Sequence, residues 1–203
     1  MRLVLVGPPG SGKGTQGPML ADHLGVAYLS TGDLLRREVD SGTALGRRVA
    51  ALIDRGELVP DDLMIAVLAA ALGDDTAGYV LDGFPRTVAQ AEVLEAGGTP
   101  LPPPDAAVHL DVPDAVLLER LAGRAGSEGR ADDADPDVIE RRLRVYHDET
   151  EPLVGHYRER GALVTIDGDG TPDEVGQRLL DAVGRRRDGA GAGPRPGEPG
   201  PAS

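Results

Sequence analysis

Nine residues, Gly7-Pro8-Pro9-Gly10-Ser11-Gly12-Lys13-Gly14-Thr15, join an apolar run, Leu3-Val4-Leu5-Val6, to a segment with helical spacing. Glycines at 7, 10, 12 and 14 permit backbone angles closed to other residues, so peptide N–H groups can curl round an anion while the following helix adds its positive end. Lys13 supplies a mobile charge suited to β- and γ-phosphates. It is the only lysine among 21 Lys and Arg residues, and a planar guanidinium would not sit among tightly curled N–H groups in the same way. Gly14 stands where most such loops place the hydroxyl that touches magnesium, and Thr15 comes one residue late. A second candidate is Asp82, at the end of the run Tyr79-Val80-Leu81. Ligands of parallel sheets gather beyond the carboxyl ends of the strands, so Asp82 and the glycine loop can share a crevice; an Asp capping a helix is the alternative. No nucleophile stands out. Arginines, each able to hold phosphate oxygens bidentately without losing charge, are the remaining chemical resource.

The elements that must position these groups alternate. Strands are expected at 2–6, 27–29, 79–82, 106–110 and 163–166, separated by helical patterns, which gives a five-stranded parallel α/β sheet with right-handed crossovers. The first helix spans about 13–24, with Pro18 near the end of its first turn and a slight kink expected there. Ser30-Thr31-Gly32-Asp33 opens the next helix with capping residues, followed by Arg36 and Arg37; from pattern alone this is equally an ordinary capped helix with solvated charge. A helix at 43–55 ends at Gly56, and a turn leads to a helix capped by Asp61 or Asp62. Gly83-Phe84-Pro85-Arg86-Thr87 turns into a helix carrying Gln90. Asp114 caps a helix on which Arg120 and Arg124 share a face, a pattern that is usually solvated charge. A flexible connector at 125–129 precedes a long helix over 136–159, and a closing helix at 173–186 leads to a Gly/Pro/Ala tail. His23, His109, His147 and His156 read as packed or solvated.

Several separated segments resemble the nucleoside-monophosphate kinases, above all the adenylate kinases: the GxPGxGKGT loop, Ser-Thr-Gly-Asp-Leu-Leu-Arg at 30–36, Asp-Gly-Phe-Pro-Arg at 82–86 with Gln90, and Glu-Arg-Leu-Ala-Gly-Arg at 119–124. The resemblance covers roughly residues 1–186. It implies a P-loop-type fold with an ATP-binding core (1–29, 60–123 and 131–186), an NMP-binding lobe (30–59), a short lid loop (124–130) in place of a larger lid, and a disordered tail (187–203). It implies ATP held by Gly10, Ser11, Gly12, Lys13, Gly14, Thr15, Arg120, Arg124 and Gly170. AMP would be held by Thr31, Arg36, Glu57, Leu58, Val59, Gly83, Phe84, Pro85, Arg86, Gln90, Arg130 and Arg142. Lys13, Arg86, Arg120, Arg124, Arg130 and Arg142 would act on the transferring phosphoryl group, with Arg141 a rival for Arg142. Asp82 would hold Mg²⁺ through water. The implied reaction is reversible phosphoryl transfer from ATP to AMP, giving two ADP. A UMP/CMP kinase is the rival on the same scaffold, disfavoured by Thr31 with Gln90; a P-loop ATPase or nucleotide sensor would not need Arg36, Arg86 and Gln90.

Composition narrows the field. A chain of 203 residues with 2% aromatics, no Trp and one Phe needs an aliphatic core and suits one domain with small inserted lobes. A net charge of -13 argues against general binding to nucleic acid or anionic membrane, so a polyanionic ligand must meet locally clustered arginines. With no cysteine, neither disulfides nor a thiolate zinc site is expected, and no His/Asp cluster in the lid interval replaces one. A first strand beginning almost at Met1 and no run of bilayer length lead to the expectation of a soluble cytoplasmic protein; a monomer, with ATP, AMP and ADP as its partners, is a separate expectation.

Overall fold

The computed structural model describes residues 1–54, 59–73, 77–97, 99–127 and 136–189. The five expected apolar runs are strands: β1 Arg2–Val6, β2 Ala27–Ser30, β3 Tyr79–Asp82, β4 Ala106–Asp111 and β5 Leu163–Asp167. Every pairing is parallel, in the order β2-β3-β1-β4-β5. The helices are α1 Lys13–Leu24, α2 Thr31–Asp40, α3 Ala44–Asp54, α4 Asp61–Leu72, α5 Val88–Glu95, α6 Asp114–Ser127, α7 Pro136–Val145, α8 Pro152–Glu159 and α9 Pro172–Gly189.

Strand alternation divides the core. Leu3, Leu5, Val108 and Leu110 face α1 and α9, where Leu20, Val175 and Leu179 cover them. Val4, Val6, Leu81 and Ala107 face the opposite layer, closed by Leu68 of α4, Leu94 of α5 and Leu153 of α8. Helices on both faces explain why the strands are apolar throughout instead of alternating with polar residues. Each buried leucine stabilises the fold by about 1.5–3 kcal/mol, and the core is aliphatic as composition requires, although Tyr79, Tyr146, Tyr157 and Phe84 are also buried. A smaller cluster, Val112, Leu117, Leu121, Ile139 and Leu143, joins α6 to α7.

Several expected details differ. The single helix over 136–159 is broken: α7 ends at Val145, Tyr146–Thr150 forms a π-helical turn, and α8 restarts with Pro152 in its first turn. Proline has no N–H and its ring would strike the carbonyl four residues back. The wider turn, closed by Glu151 N–H donating to Tyr146 O at 2.8 Å, accommodates that ring. The helix expected to be capped by Asp61 or Asp62 begins at Asp61, behind Pro60 and without a side-chain cap, so both carboxylates lie in its first turn. Asp114 likewise is the first residue of α6 and not its cap. The loop expected at 124–130 starts as helix, since α6 continues to Ser127, and α9 runs to Gly189, past the expected start of the tail. Glu57, Leu58, Arg130 and residues 190–203 lie outside the described residues, as does the side chain of Arg124.

Candidate active site

The glycine loop forms directly at the carboxyl end of β1. Gly10 and Gly12 take φ of 84° and 95°, left-handed values that a side chain resists. They turn the chain so that α1 starts at Lys13 with no side-chain cap and no acid in its first turn. An uncapped N-terminus leaves its positive end for a ligand. Lys13 folds back over the loop, donating from Nζ to Gly7 O at 2.6 Å and Pro8 O at 3.0 Å. Ser11 is buried, while Gly14 and Thr15 are exposed. At Gly10 the loop rests on α6, for a Cβ there would meet Leu121 Cγ at 3.0 Å and Leu117 O at 3.3 Å.

Strand register places Asp82 across from Leu5 on one side and Ser30 on the other. Its carboxylate therefore stands two residues behind the start of the glycine loop. Oδ2 accepts the Tyr28 hydroxyl at 2.9 Å. Burial first, then the nearby Asp82 charge, pushes the Tyr28 pKa up, so the phenol stays a neutral donor. The ring reaches this place because residue 17 is glycine: a Cβ there would lie 2.3 Å from Tyr28 Cε2. Thr31, buried at the start of α2, donates from Oγ1 to the Asp82 carbonyl at 3.2 Å. Gly83, with φ of 87°, gives it room.

The arginines after β3 and in α2 lie close to this rim. Arg86 donates from Nε to Gly83 O at 2.8 Å, while its backbone N–H donates to Gln90 Oε1 at 2.7 Å. Arg86 keeps an exposed surface, yet desolvation lowers its pKa; Asp82 acts in the opposite sense, and Arg142 lowers it further. It remains a cation at neutral pH. Arg142 of α7 is thus near enough for its charge to act on Arg86, and it is half-buried where Arg141 is exposed. Arg36 pairs with Asp33 and packs its guanidinium over Gly32. Phe84 and Pro85 are buried under the turn, and Val59 lies half-buried before α4.

Across the loop, Arg120 donates from Nη2 to Gly168 O at 3.0 Å and Gly170 O at 3.2 Å. Arg178 holds the same turn from α9, donating to Asp167 O at 2.9 Å and Asp169 O at 2.5 Å. Arg120 thus sits beside Gly170. Between the two sides, His109 of β4 lies across from Val6 in the register and meets the Tyr146 hydroxyl at 3.3 Å through Nε2.

Three participants escaped the sequence pattern: Tyr28 on Asp82, Asp61, whose Oδ1 accepts Gln90 Nε2 at 2.7 Å, and Arg178. The only available signals were a Gly17 without a turn to justify it and acids at 61–62 that end up capping nothing. The arrangement can take up a polyphosphate at the loop and a second anion at the Arg86 turn.

A family model described as adenylate kinase matches residues 5–162. The chain is similar to an adenylate kinase of Xanthomonas euvesicatoria pv. vesicatoria (strain 85-10), 50% identical over 191 residues, covering 91% of this chain and all of the relative. It is similar to one of Stenotrophomonas maltophilia (strain R551-3), 48% identical over 189 residues and covering 90% of this chain and 99% of the relative. An adenylate kinase of Xanthomonas campestris pv. campestris (strain B100) is 49% identical over 191 residues.

Proposed function

The chain belongs to the adenylate kinase family, a phosphotransferase acting between ATP and AMP, and from that premise we propose how its residues divide the work. ATP lies with its phosphates in the loop Gly10–Thr15 and its base beside Arg120, Arg124 and Gly170. AMP lies between α2 and the Arg86 turn, touched by Thr31, Arg36, residues 57–59, 83–86 and Gln90. A phosphate oxygen of AMP bonds to the γ-phosphorus as the bond from that phosphorus to the β,γ-bridging oxygen breaks, leaving two ADP. Since that group carries its own reactivity, the protein contributes position and charge. Lys13 leaves the Gly7 and Pro8 carbonyls for the phosphate oxygens, and Arg86 with Arg142, joined by Arg130 and Arg124, neutralises the group in flight.

Among the described residues no cluster of three or more metal-ligating side chains is present. One carboxylate, Asp82, next to a phosphate loop suits a hydrated cation brought in on nucleotide phosphates, not a protein cage. Mg²⁺ bound there would neutralise developing charge on the β- and γ-oxygens; Asp82 would hold its water, with Tyr28 fixing the carboxylate. Residues 30–59 serve as the AMP lobe and 124–130 as the lid segment that keeps water out, on a core formed by the remainder up to 186. Among the described residues no helix is long and apolar enough to cross a membrane, and the reading is of a cytoplasmic monomer whose partners are ATP, AMP and ADP, without nucleic acid.

The observation that carries this reading is the register setting Asp82 across from Leu5, which opens carboxylate, phosphate loop and Arg86 turn on one rim. A coupled assay with ATP, Mg²⁺ and each nucleoside monophosphate tests it: AMP should be the preferred acceptor. Preference for UMP or CMP, or ADP release without any acceptor, would refute it.

A further inference from the structure

Asp61 does not cap α4; its carboxylate reaches across to α5, where Oδ1 accepts Gln90 Nε2 at 2.7 Å. The other end of the same amide is engaged as well, since Gln90 Oε1 accepts the backbone N–H of Arg86 at 2.7 Å. Gln90's own N–H donates to Thr87 Oγ1 at 3.3 Å, which fixes its place in the first turn of α5. The two ends of a glutamine amide are alike in shape and opposite in polarity. A carboxylate only accepts and a peptide N–H only donates, so these partners admit a single orientation, nitrogen toward Asp61 and oxygen toward residue 86. Turned over, the amide would set oxygen against carboxylate and N–H against N–H.

We propose that Asp61 is a positioning residue for choice of the acceptor base: by locking the Gln90 amide it presents the second N–H and the second lone pair in a fixed order. That order complements a base edge on which a ring nitrogen acceptor adjoins an exocyclic amine, the edge of a 6-aminopurine. A 6-oxopurine carries a ring N–H beside a carbonyl, the reverse polarity, and each group would meet its like. Both amide hydrogen bonds lie at the surface in the ligand-free chain; once a base covers them, a wrong partner leaves polar groups unmatched out of water. The inference rests on the proposed contact between Gln90 and the acceptor base. It adds that discrimination between 6-amino and 6-oxo bases comes from a carboxylate on a different helix.

The test compares AMP with inosine monophosphate as acceptors for the wild type, Asp61→Ala and Asp61→Asn, by kcat/KM and by calorimetric affinity. In Asp61→Ala the amide keeps only its Arg86 anchor, and the AMP-to-IMP ratio should fall about tenfold, the loss of one charge-assisted hydrogen bond. Asp61→Asn, close in shape, offers the amide both polarities and should lower the ratio by a smaller factor; it decides the matter if the alanine variant does not fold. An unchanged ratio in the variants, with both acceptors weakened alike, would overturn the inference and leave Asp61 a structural tie. A wild type that does not phosphorylate AMP would instead overturn the functional reading beneath it.

Discussion

The loop after β1 and the turn after β3 rise from neighbouring strands, yet they present positive charge by different means. The first does so with main chain: left-handed glycines, an uncapped α1 and one ammonium resting on two carbonyls. Around the second, side chains from several elements make the links: Gln90 accepts the Arg86 backbone N–H and donates to the Asp61 carboxylate, and Thr31 donates to the Asp82 carbonyl. A site of peptide groups keeps its shape when side chains change, and only its mobile charge can be removed. A site held by side chains is tuned by every such link, including those that touch no ligand. The first suits an anion common to all nucleoside triphosphates, the second a ligand that must be told apart from its analogues.

The contrast can be broken at its most sensitive point by Lys13→Ala. The loop should stay folded while kcat falls on the order of 10²–10³-fold, with AMP affinity little altered; turnover near wild type in the coupled assay would show that the backbone suffices. Arg86→Ala attacks the other side and should weaken AMP binding roughly 10- to 100-fold, the loss of charged hydrogen bonds, while ATP affinity holds. Calorimetry that found both nucleotides equally affected would erase the division between the two sides. Gly17→Ala tests their junction. A methyl 2.3 Å from the Tyr28 ring must displace it, at a cost of about 1–3 kcal/mol in stability, read as a lower urea midpoint; an unchanged midpoint would mean that Tyr28 moves freely. The smallest effect concerns His109, whose pKa burial lowers while Asp111 and Glu151 oppose the shift in part. Its folded value lies below the unfolded one of about 6.5, so the unfolded chain gains protons first as pH falls. The neutral ring therefore favours the folded chain above about pH 6.5, and that advantage shrinks in acid. His109→Gln should flatten the decline in stability below that pH, and a decline of equal slope in denaturation at stepped pH would refute it.

The same contrast governs how much of the molecule is legible in its amino-acid order. The phosphate loop lies in one nonapeptide, and five apolar runs with helices between them announce the sheet, because both depend on local backbone preference and short periodicity. Links between distant residues leave no such trace. Tyr28 and Asp82 are 54 residues apart and Asp61 and Gln90 29 apart, and only the pairing of β2 with β3 and the packing of α4 beside α5 against one sheet face bring them together. Asp61 and Asp114 each sit where a cap belongs, but the helices start at those residues and not one later. At Pro152 the residue itself was a warning; that the chain answers with a π-helical turn, and not a loop, follows from the Glu151 to Tyr146 hydrogen bond.

The ladder between β1 and β3 sets Leu5 beside Asp82, and it has a consequence for how such an enzyme can change. A slip of one residue would carry the acid about 3.3 Å along the sheet and turn it to the opposite face. Distance from carboxylate to phosphate cradle is thus gauged by main-chain hydrogen bonds deep in the scaffold. Ser30 and Thr31 belong to that gauge; insertions and deletions that spare them, in the stretches proposed as AMP lobe and lid, would leave it untouched, so those stretches are open to remodelling while the calibration of the centre endures.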